Sequence, residues 1–431
     1  MNIGNMKKYV WLFLAMLLPL GFVACSDSDE PEKPVVKPND KPGQGDDNQT
    51  VAFTDSKAYA NFFAFNVMSD VYLWKQDITS ALNSWLILAD PIEAVKNARY
   101  KENGKDVDKW TQMTDAYSEM VGGTDGVSTG TYGFGVKGIN YVNYKTICAY
   151  VLYTYPGSPA EEAGLKRGDM ILEINGKPIT NESYRELFYS NSVEIGLGTF
   201  KDGAFVSTGK TVTMNAKAMY EDPIVKTNVF DCGDKKVGYL AYTSFTFESC
   251  LGLYDVCKEF KKQGVTELIL DLRYNGGGYV FTEEALASML APEAEVKAKS
   301  VFETEIWNDE YMAYYKQKGT DLNTYFRTQY NQEHNGKKYQ FDTSDANIGL
   351  NKIYALVTES SASASEAILV GLMPYMDIEI IGQQTHGKYC SGIMWKGEEW
   401  YQEIVDNLKA NKKDFATLYP EFADWKKYIG D

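Results

Sequence analysis

The sequence predicts a multidomain α+β protein: a helical N-terminal domain, then a β-rich unit, then an α/β domain. Three observations carry this. Apolar and aromatic residues crowd positions 62–74 at helical spacing; short strand-like runs and glycine turns fill 128–217; and from 218 onward apolar runs alternate with helical stretches. At 431 residues the chain is long enough for two or three cores. The expected boundaries are 1–24 for a leader, 25–50 for a tether, 51–127, 128–217 and 218–431.

The leader follows from Lys7-Lys8 and the apolar run from Tyr9 to Ala24, which is short for a membrane span and broken by Pro19. Phe22-Val23-Ala24-Cys25 resembles a bacterial lipobox, in which Cys25 is lipidated and becomes the first residue of an exported protein. The acidic run Ser26 to Glu30 resembles the surface-export signal of some Bacteroidetes lipoproteins. That resemblance implies a lipid anchor on the outer membrane, facing the periplasm or the cell surface. Positions 31–50 are mainly Pro, Lys, Asp, Gly and Gln, with little to bury, and read as a disordered tether.

In the next domain, Phe62, Phe63, Phe65, Val67, Met68, Val71, Tyr72 and Trp74 predict a helix with a buried face, and Asp90-Pro91 opens a second one. Between 128 and 217 the run Gly157 to Ile179 reads as a short helix closed at Gly164, a turn at Arg167-Gly168-Asp169, a strand, and a hairpin turn at Asn175-Gly176. This segment resembles the core of a PDZ domain. The resemblance implies that Gly133, Phe134, Gly135 and Val136 form the loop whose N–H groups take a peptide's terminal carboxylate, with the peptide added as a strand to a sheet edge.

The last domain holds three segments with chemistry. Ile353 to Val357 reads as a strand, Ser361-Ala362-Ser363-Ala364-Ser365-Glu366 as a tight turn, and Ala367 to Val370 as the start of a helix. Such a turn exposes a hydroxyl at a strand end beside unpaired helix N–H groups. Read alone, Ser363-x-x-Glu366 is equally a capping box. Ile378 to Ile381 reads as another strand, leading to Thr385-His386-Gly387-Lys388; a lysine held neutral can serve as base to a serine. Glu267 to Leu272 reads as a buried strand running into Arg273-Tyr274-Asn275-Gly276-Gly277-Gly278, where glycine N–H groups can form an oxyanion hole. Between them, residues 301–345 read as a polar, aromatic insertion that walls a cleft.

Together the three segments resemble the carboxy-terminal processing (tail-specific) serine peptidases. That family has an Asp-Leu-Arg-x-Asn-x-Gly-Gly loop, a Ser-Ala-Ser-Ala-Ser-Glu turn and a Thr-x-Gly-Lys segment with the lysine 25 positions after the middle serine, as Lys388 follows Ser363. The resemblance implies a crotonase-like α/β catalytic domain and a Ser/Lys endopeptidase. Ser363 would be the nucleophile, Lys388 the base, and the N–H groups of Ala364, Gly276 and Gly277 the oxyanion hole. This chain departs from the pattern with Gly392 where a lysine-orienting glutamine is common, His386 where an aromatic is usual, and Gly276 where proline is common. Family members also continue through further strands after the lysine, so the domain reads as either truncated at its C-terminal end or completed differently there. A catalytically inactive PDZ-containing peptide-binding lipoprotein is the alternative reading.

Composition narrows the choice. A net charge of −16 argues against nucleic-acid binding, and no metal-ligand or phosphate-loop motif is present, so no cofactor or metal is indicated. With only His334 and His386 in the chain, a histidine base would have to be one of these; His334 reads as a loop residue and His386 as a polar neighbour of the base segment. The expected partners are polypeptides, held by their C-termini, and a membrane through the lipid.

Overall fold

The computed structural model describes residues 11–14, 56–85, 90–114, 124–141 and 146–397. The tether, Cys25 and the segment from 398 onward lie outside these residues. Two compact units result: residues 1–120, 301–325 and 389–431 form one, and 121–300 with 326–388 the other.

In the first unit, helix α1 (Ser56–Asp70) buries Phe63, Ala64, Val67 and Met68. Helix α2 (Pro91–Ala98) starts as the sequence suggests: the Asp90 carboxylate accepts the N–H groups of Ile92 and Glu93, with proline in the first turn. Helical periodicity ends there, and 101–114 form short strands around an Asn103-Gly104 turn. The unit's core also takes Trp307, Tyr311, Tyr315 and Ile393. Trp307, Tyr311 and Tyr315 are thus core of this unit, where the sequence reading made the 301–345 stretch a cleft wall: the helix Asp309–Lys318 presents Tyr311 and Tyr315, four apart, on one face. Trp11–Leu14, inside the apolar leader run, pairs antiparallel with Gln112–Thr114 and with Ile393–Lys396; cleavage before Cys25 would remove this strand.

The second unit is built mainly on two sheets. The β-rich part is built on β1 (Phe134–Tyr141), β2 (Thr146–Thr154), β3 (Met170–Ile174), β4 (Ser192–Lys201) and β5 (Ala204–Asn215), in spatial order β5-β4-β3-β2-β1. Strand β1 is therefore an edge. A short helix, α3 (Glu186–Tyr189), follows β3 and buries Leu187 against Val193, Ile195 and Ile171. The Gly157 to Ile179 run folds as read: Ser158 caps the helix Pro159–Glu162, Gly164 takes a positive φ of 77°, and Asn175-Gly176 turns a tight hairpin.

The α/β part is a five-stranded sheet of β6 (Ile224–Cys232), β7 (Lys235–Tyr242), β8 (Glu267–Asp271), β9 (Lys352–Val357) and β10 (Asp377–Gly382), in that order. Only β6–β7 is antiparallel; β7, β8, β9 and β10 run parallel. Helices α4 (Ser249–Gln263), α5 (Val280–Leu290) and α6 (Ala364–Leu372) connect them, which is the route parallel strands require. Strands β8 and β9 bury Leu268, Leu270, Ile353, Ala355 and Val357, and each of the four larger side chains stabilises the fold by about 1.5–3 kcal/mol. Among the described residues β10 is the outer strand, and its Ile380 and Ile381 are 49% and 43% exposed. His334 lies not in a loop but at the end of a hairpin strand, Gln329–His334, before an Asn335-Gly336 turn; Asn-Gly is the pair such a turn favours. Its imidazole stacks on Phe247 and bonds Asp125 at 2.8 Å.

Candidate active site

The parallel strands β8 and β9 end side by side, so the loops leaving them meet. Leu272 N–H still donates to Leu356 in ladder fashion at 2.9 Å; beyond it the glycine loop and the serine turn are bound by side chains. Ser361 donates its hydroxyl to the Leu272 carbonyl at 2.7 Å, and Ser365 donates to the Asn275 carbonyl at 2.9 Å. The Ala362 N–H also donates to Asn275 at 3.1 Å. Both outer serines are fully buried. The serine-rich turn thus divides its labour: the outer hydroxyls fasten one loop to the other, and Ser363 stands half-buried between them.

Ser363 has φ 56° and ψ −120°, in a region that costs a non-glycine residue roughly 1–3 kcal/mol. Opposite it, Gly277 has φ 102°, and a Cβ there would lie 2.7 Å from Ser363 Cβ and 2.9 Å from the Ala362 carbonyl oxygen. Glycine is required because the two loops touch at that point. Gly277 N–H donates to the Asn275 side chain at 2.9 Å, so this predicted oxyanion donor is already engaged in holding the loop's shape. Asn275, fully buried, also donates to the Tyr242 carbonyl at 3.0 Å. Gly276 has open space around it, and Ala364 is the first residue of α6, where helix N–H groups lack intrahelical partners.

Glu366 joins the turn to the base segment. One carboxylate oxygen accepts the N–H of Ser363 at 3.0 Å and that of Lys388 at 2.9 Å; the other accepts Gly387 N–H at 2.7 Å. The carboxylate half of the capping box is therefore real, and the same group anchors the main chain of Lys388 beside that of Ser363. His386, whose side chain is exposed, adds a main-chain bond to the Ser361 carbonyl at 3.0 Å.

The loop itself is braced from below. Arg273 grips Asp271 through two bonds of 2.8 and 2.5 Å, and the Tyr239 hydroxyl donates to the same carboxylate at 2.8 Å. Burial alone would raise the Asp271 pKa, but these donors outweigh it and hold the carboxyl below the usual range. Tyr274 then turns toward the β-rich part. Arg167 donates to its hydroxyl at 2.5 Å, and the Tyr153 ring lies 5.6 Å away.

In the β-rich part, Gly133 to Val136 lead into the edge strand. Gly133 has φ 71°, and its N–H donates to Thr131 Oγ1 at 2.9 Å. A cavity of about 410 Å³ opens there, lined by Phe134, Gly135, Val136, Leu187, Phe188 and Glu221, among others. Burial pushes the Glu221 carboxyl up, with a hydrogen bond from Thr131 opposing it.

Sequence reasoning brought Ser363, Lys388, Ala364 and Gly276 to one place. It missed Glu366 as the link to the base segment, and Tyr274 and Arg167 as the contact between the two parts. The Glu366 link was readable in principle, since a capping glutamate has a second oxygen to use; Arg167 and Tyr274, 107 positions apart, carry no local signal.

Residues 236–392 match the model of Peptidase family S41, and residues 150–190 match that of a PDZ domain. The α/β part of the chain thus resembles an S41 peptidase domain and the β-rich part a PDZ domain. The chain is 24% identical over 300 residues to the carboxy-terminal processing protease CtpA of Bacillus subtilis (strain 168), covering 64% of this chain and 56% of that one. It is 25% identical over 358 residues to a carboxyl-terminal-processing protease of Picosynechococcus sp. (strain ATCC 27264 / PCC 7002 / PR-6), covering 79% and 75%. The chain spans about half the length of the first curated relatives it matches. A solved structure assigned to the S41 proteases, from Bacteroides fragilis NCTC 9343, superimposes with a TM-score of 0.57 at 24% identity, over 78% of this chain and 86% of that one, and shares the fold.

Proposed function

We propose that this chain is a serine endopeptidase of the carboxy-terminal processing type, with Ser363 as nucleophile and Lys388 as base. The observation that carries the reading is the Glu366 carboxylate, which holds the main chains of Ser363, Gly387 and Lys388 together. In the reaction, the neutral Lys388 amine takes the Ser363 proton as Oγ attacks the scissile carbonyl carbon. The resulting oxyanion is received by the N–H groups of Ala364 and Gly276, with Gly277 serving as the surface on which Ser363 packs. The ammonium then protonates the leaving amine, and water, activated in turn by Lys388, releases the acyl group. The strained backbone at Ser363 supports this role, because a residue held off its preferred conformation points its hydroxyl where the surrounding turn dictates.

The PDZ part is proposed to capture polypeptide chain ends through Gly133 to Val136. The leader and Cys25 support export and attachment to the bacterial outer membrane by a lipid; no helix among the described residues is long and apolar enough to cross a membrane. Replacing Cys25 with Ser should move the protein to the soluble fraction. The peptidase reading is tested by labelling with a fluorophosphonate probe: the natural chain should be labelled and Ser363→Ala should not, and an unlabelled natural chain would overturn it.

A further inference from the structure

Strand β1 is the edge to which a captured peptide would add itself, and its outward-facing groups can be identified. Opposite Val136 stands Val151. Val151 spends its own N–H and C=O on the other side, bonding the Asp169 carbonyl and the Gly168 N–H, both at 2.9 Å. The Val136–Val151 pair is therefore a non-hydrogen-bonded one, and so is Gly138–Ala149 two positions on. Val136 and Gly138 consequently direct their main-chain groups outward, where an added strand would bond them.

Those groups are occupied. The Tyr184 hydroxyl accepts the Gly138 N–H at 3.0 Å and donates to the Val136 carbonyl at 3.2 Å. Its ring lies against Gly138, where an added Cβ would come within 3.0 Å of it, and edge-on to Phe188 with centroids 5.3 Å apart. The 410 Å³ cavity runs along Phe134, Gly135 and Val136, and neither Gly138 nor Tyr184 lines it. One hydroxyl thus satisfies the donor and the acceptor that a peptide would need to continue past Val136. Burial raises the pKa of this hydroxyl, so it keeps the proton it donates.

Resting on the peptide-capture reading above, we propose that Tyr184 is an internal competitor for the peptide-binding edge: a short chain end enters beside it, and an extended one must displace it. The partner is an extended polypeptide with a free C-terminus, and Tyr184 sets how much of it pairs.

The test uses the full chain carrying Ser363→Ala, so that peptide is bound and not cut, with a labelled eight-residue and a three-residue peptide, each as free acid and as amide. Tyr184→Phe keeps the ring and removes the hydroxyl. The eight-residue acid should bind about tenfold more tightly to it, the worth of one to two hydrogen bonds, with the three-residue acid unchanged. Gly138→Ala, whose methyl displaces the ring, should give a gain for the longer peptide in the same direction. If the free acid is preferred but both variants bind the longer peptide no more tightly, the competitor role is wrong and peptide capture stands. If no protein prefers acid to amide, peptide capture fails and the competitor role with it.

Discussion

Two glycine loops, 133–136 and 275–278, sit at strand ends of the same unit and are built to different tolerances. In the 275–278 loop the near neighbours are atoms that cannot swing away. A Cβ on Gly278 would lie 2.3 Å from the Phe245 carbonyl oxygen, and one on Gly277 would meet Ser363 Cβ and the Ala362 carbonyl. In the PDZ loop the two glycines differ: a Cβ on Gly133 would lie 2.3 Å from Ser158 Cβ, which is equally fixed, whereas one on Gly135 would meet the far end of the Tyr153 ring at 2.5 Å. Neighbours that cannot move suit the proposed oxyanion role of 275–278, while at Gly135 the neighbour is a side chain that can turn, which suits the proposed capture of varied chain ends.

The sharpest test of the rigid side is chemical. Ser363→Ala should lower turnover by roughly 10⁴-fold or more, as removal of a nucleophile does. Arginine cannot give up its proton near neutral pH, so Lys388→Arg should be as inactive as Lys388→Ala. A Lys388→Arg enzyme that cuts normally while His386→Ala does not would move the base to His386. Ser361→Ala and Ser365→Ala should retain the chemistry and lose about 1–2 kcal/mol of stability each, because each leaves a buried carbonyl with one donor fewer.

Gly278→Ala, with φ 148° and a backbone oxygen in the way, should destabilise the fold by about 3 kcal/mol; Gly135→Ala should cost about 1 kcal/mol. Equal midpoints in urea denaturation would erase the proposed difference between the loops. A smaller effect is expected from Glu366→Gln, which keeps the shape but weakens three charge-assisted bonds: kcat should fall about 10–100-fold with KM little changed. A change confined to KM would remove Glu366 from the positioning of the dyad.

The smallest effect lies away from both loops. Glu284 on α5 is buried, which pushes its carboxyl up to about 6 even though Arg327 lies 2.5 Å away and opposes the shift. Its folded pKa is the higher one, so the protonated form favours the fold. The stabilisation is complete below about pH 4.5 and is lost as pH rises through 6, amounting to roughly 2 kcal/mol. Asp125 and Asp271 have lowered pKa values and act in the opposite sense at lower pH. Denaturation of Glu284→Gln between pH 4.5 and 7 should show that slope removed.

Much of this was legible in the primary structure where the information is local. Strand β9 alternates apolar residues, the serine turn carries its own helix start, and Asp90-Pro91 marks the start of α2, because period, capping and turn chemistry act over a few residues. What could not be read is set by distance. The aromatics at 307, 311 and 315 look like any polar-aromatic insertion until Phe63 and Val67 meet them. The placement of His334 turned on an Asn-Gly hairpin hidden in a polar run. Among site residues, the resemblance supplied Gly276 and Gly277 as equal donors; only the Asn275 side chain separates them. Tyr184 gives no sequence signal at all, since its meaning depends on which face of β1 is the free one.

The first unit draws its core from three stretches of chain, with Phe63, Val67 and Met68 packed together with Tyr311 and Ile393. Synthesis proceeds from the N-terminus, so α1 emerges with Val95 and Ala98 of α2 soon to follow, but with Tyr311 and Ile393 still hundreds of residues from being made. Contacts of such sequence separation close late and slowly. An early helix is thus among the last to gain its full core, and until then part of its apolar face stays open to water.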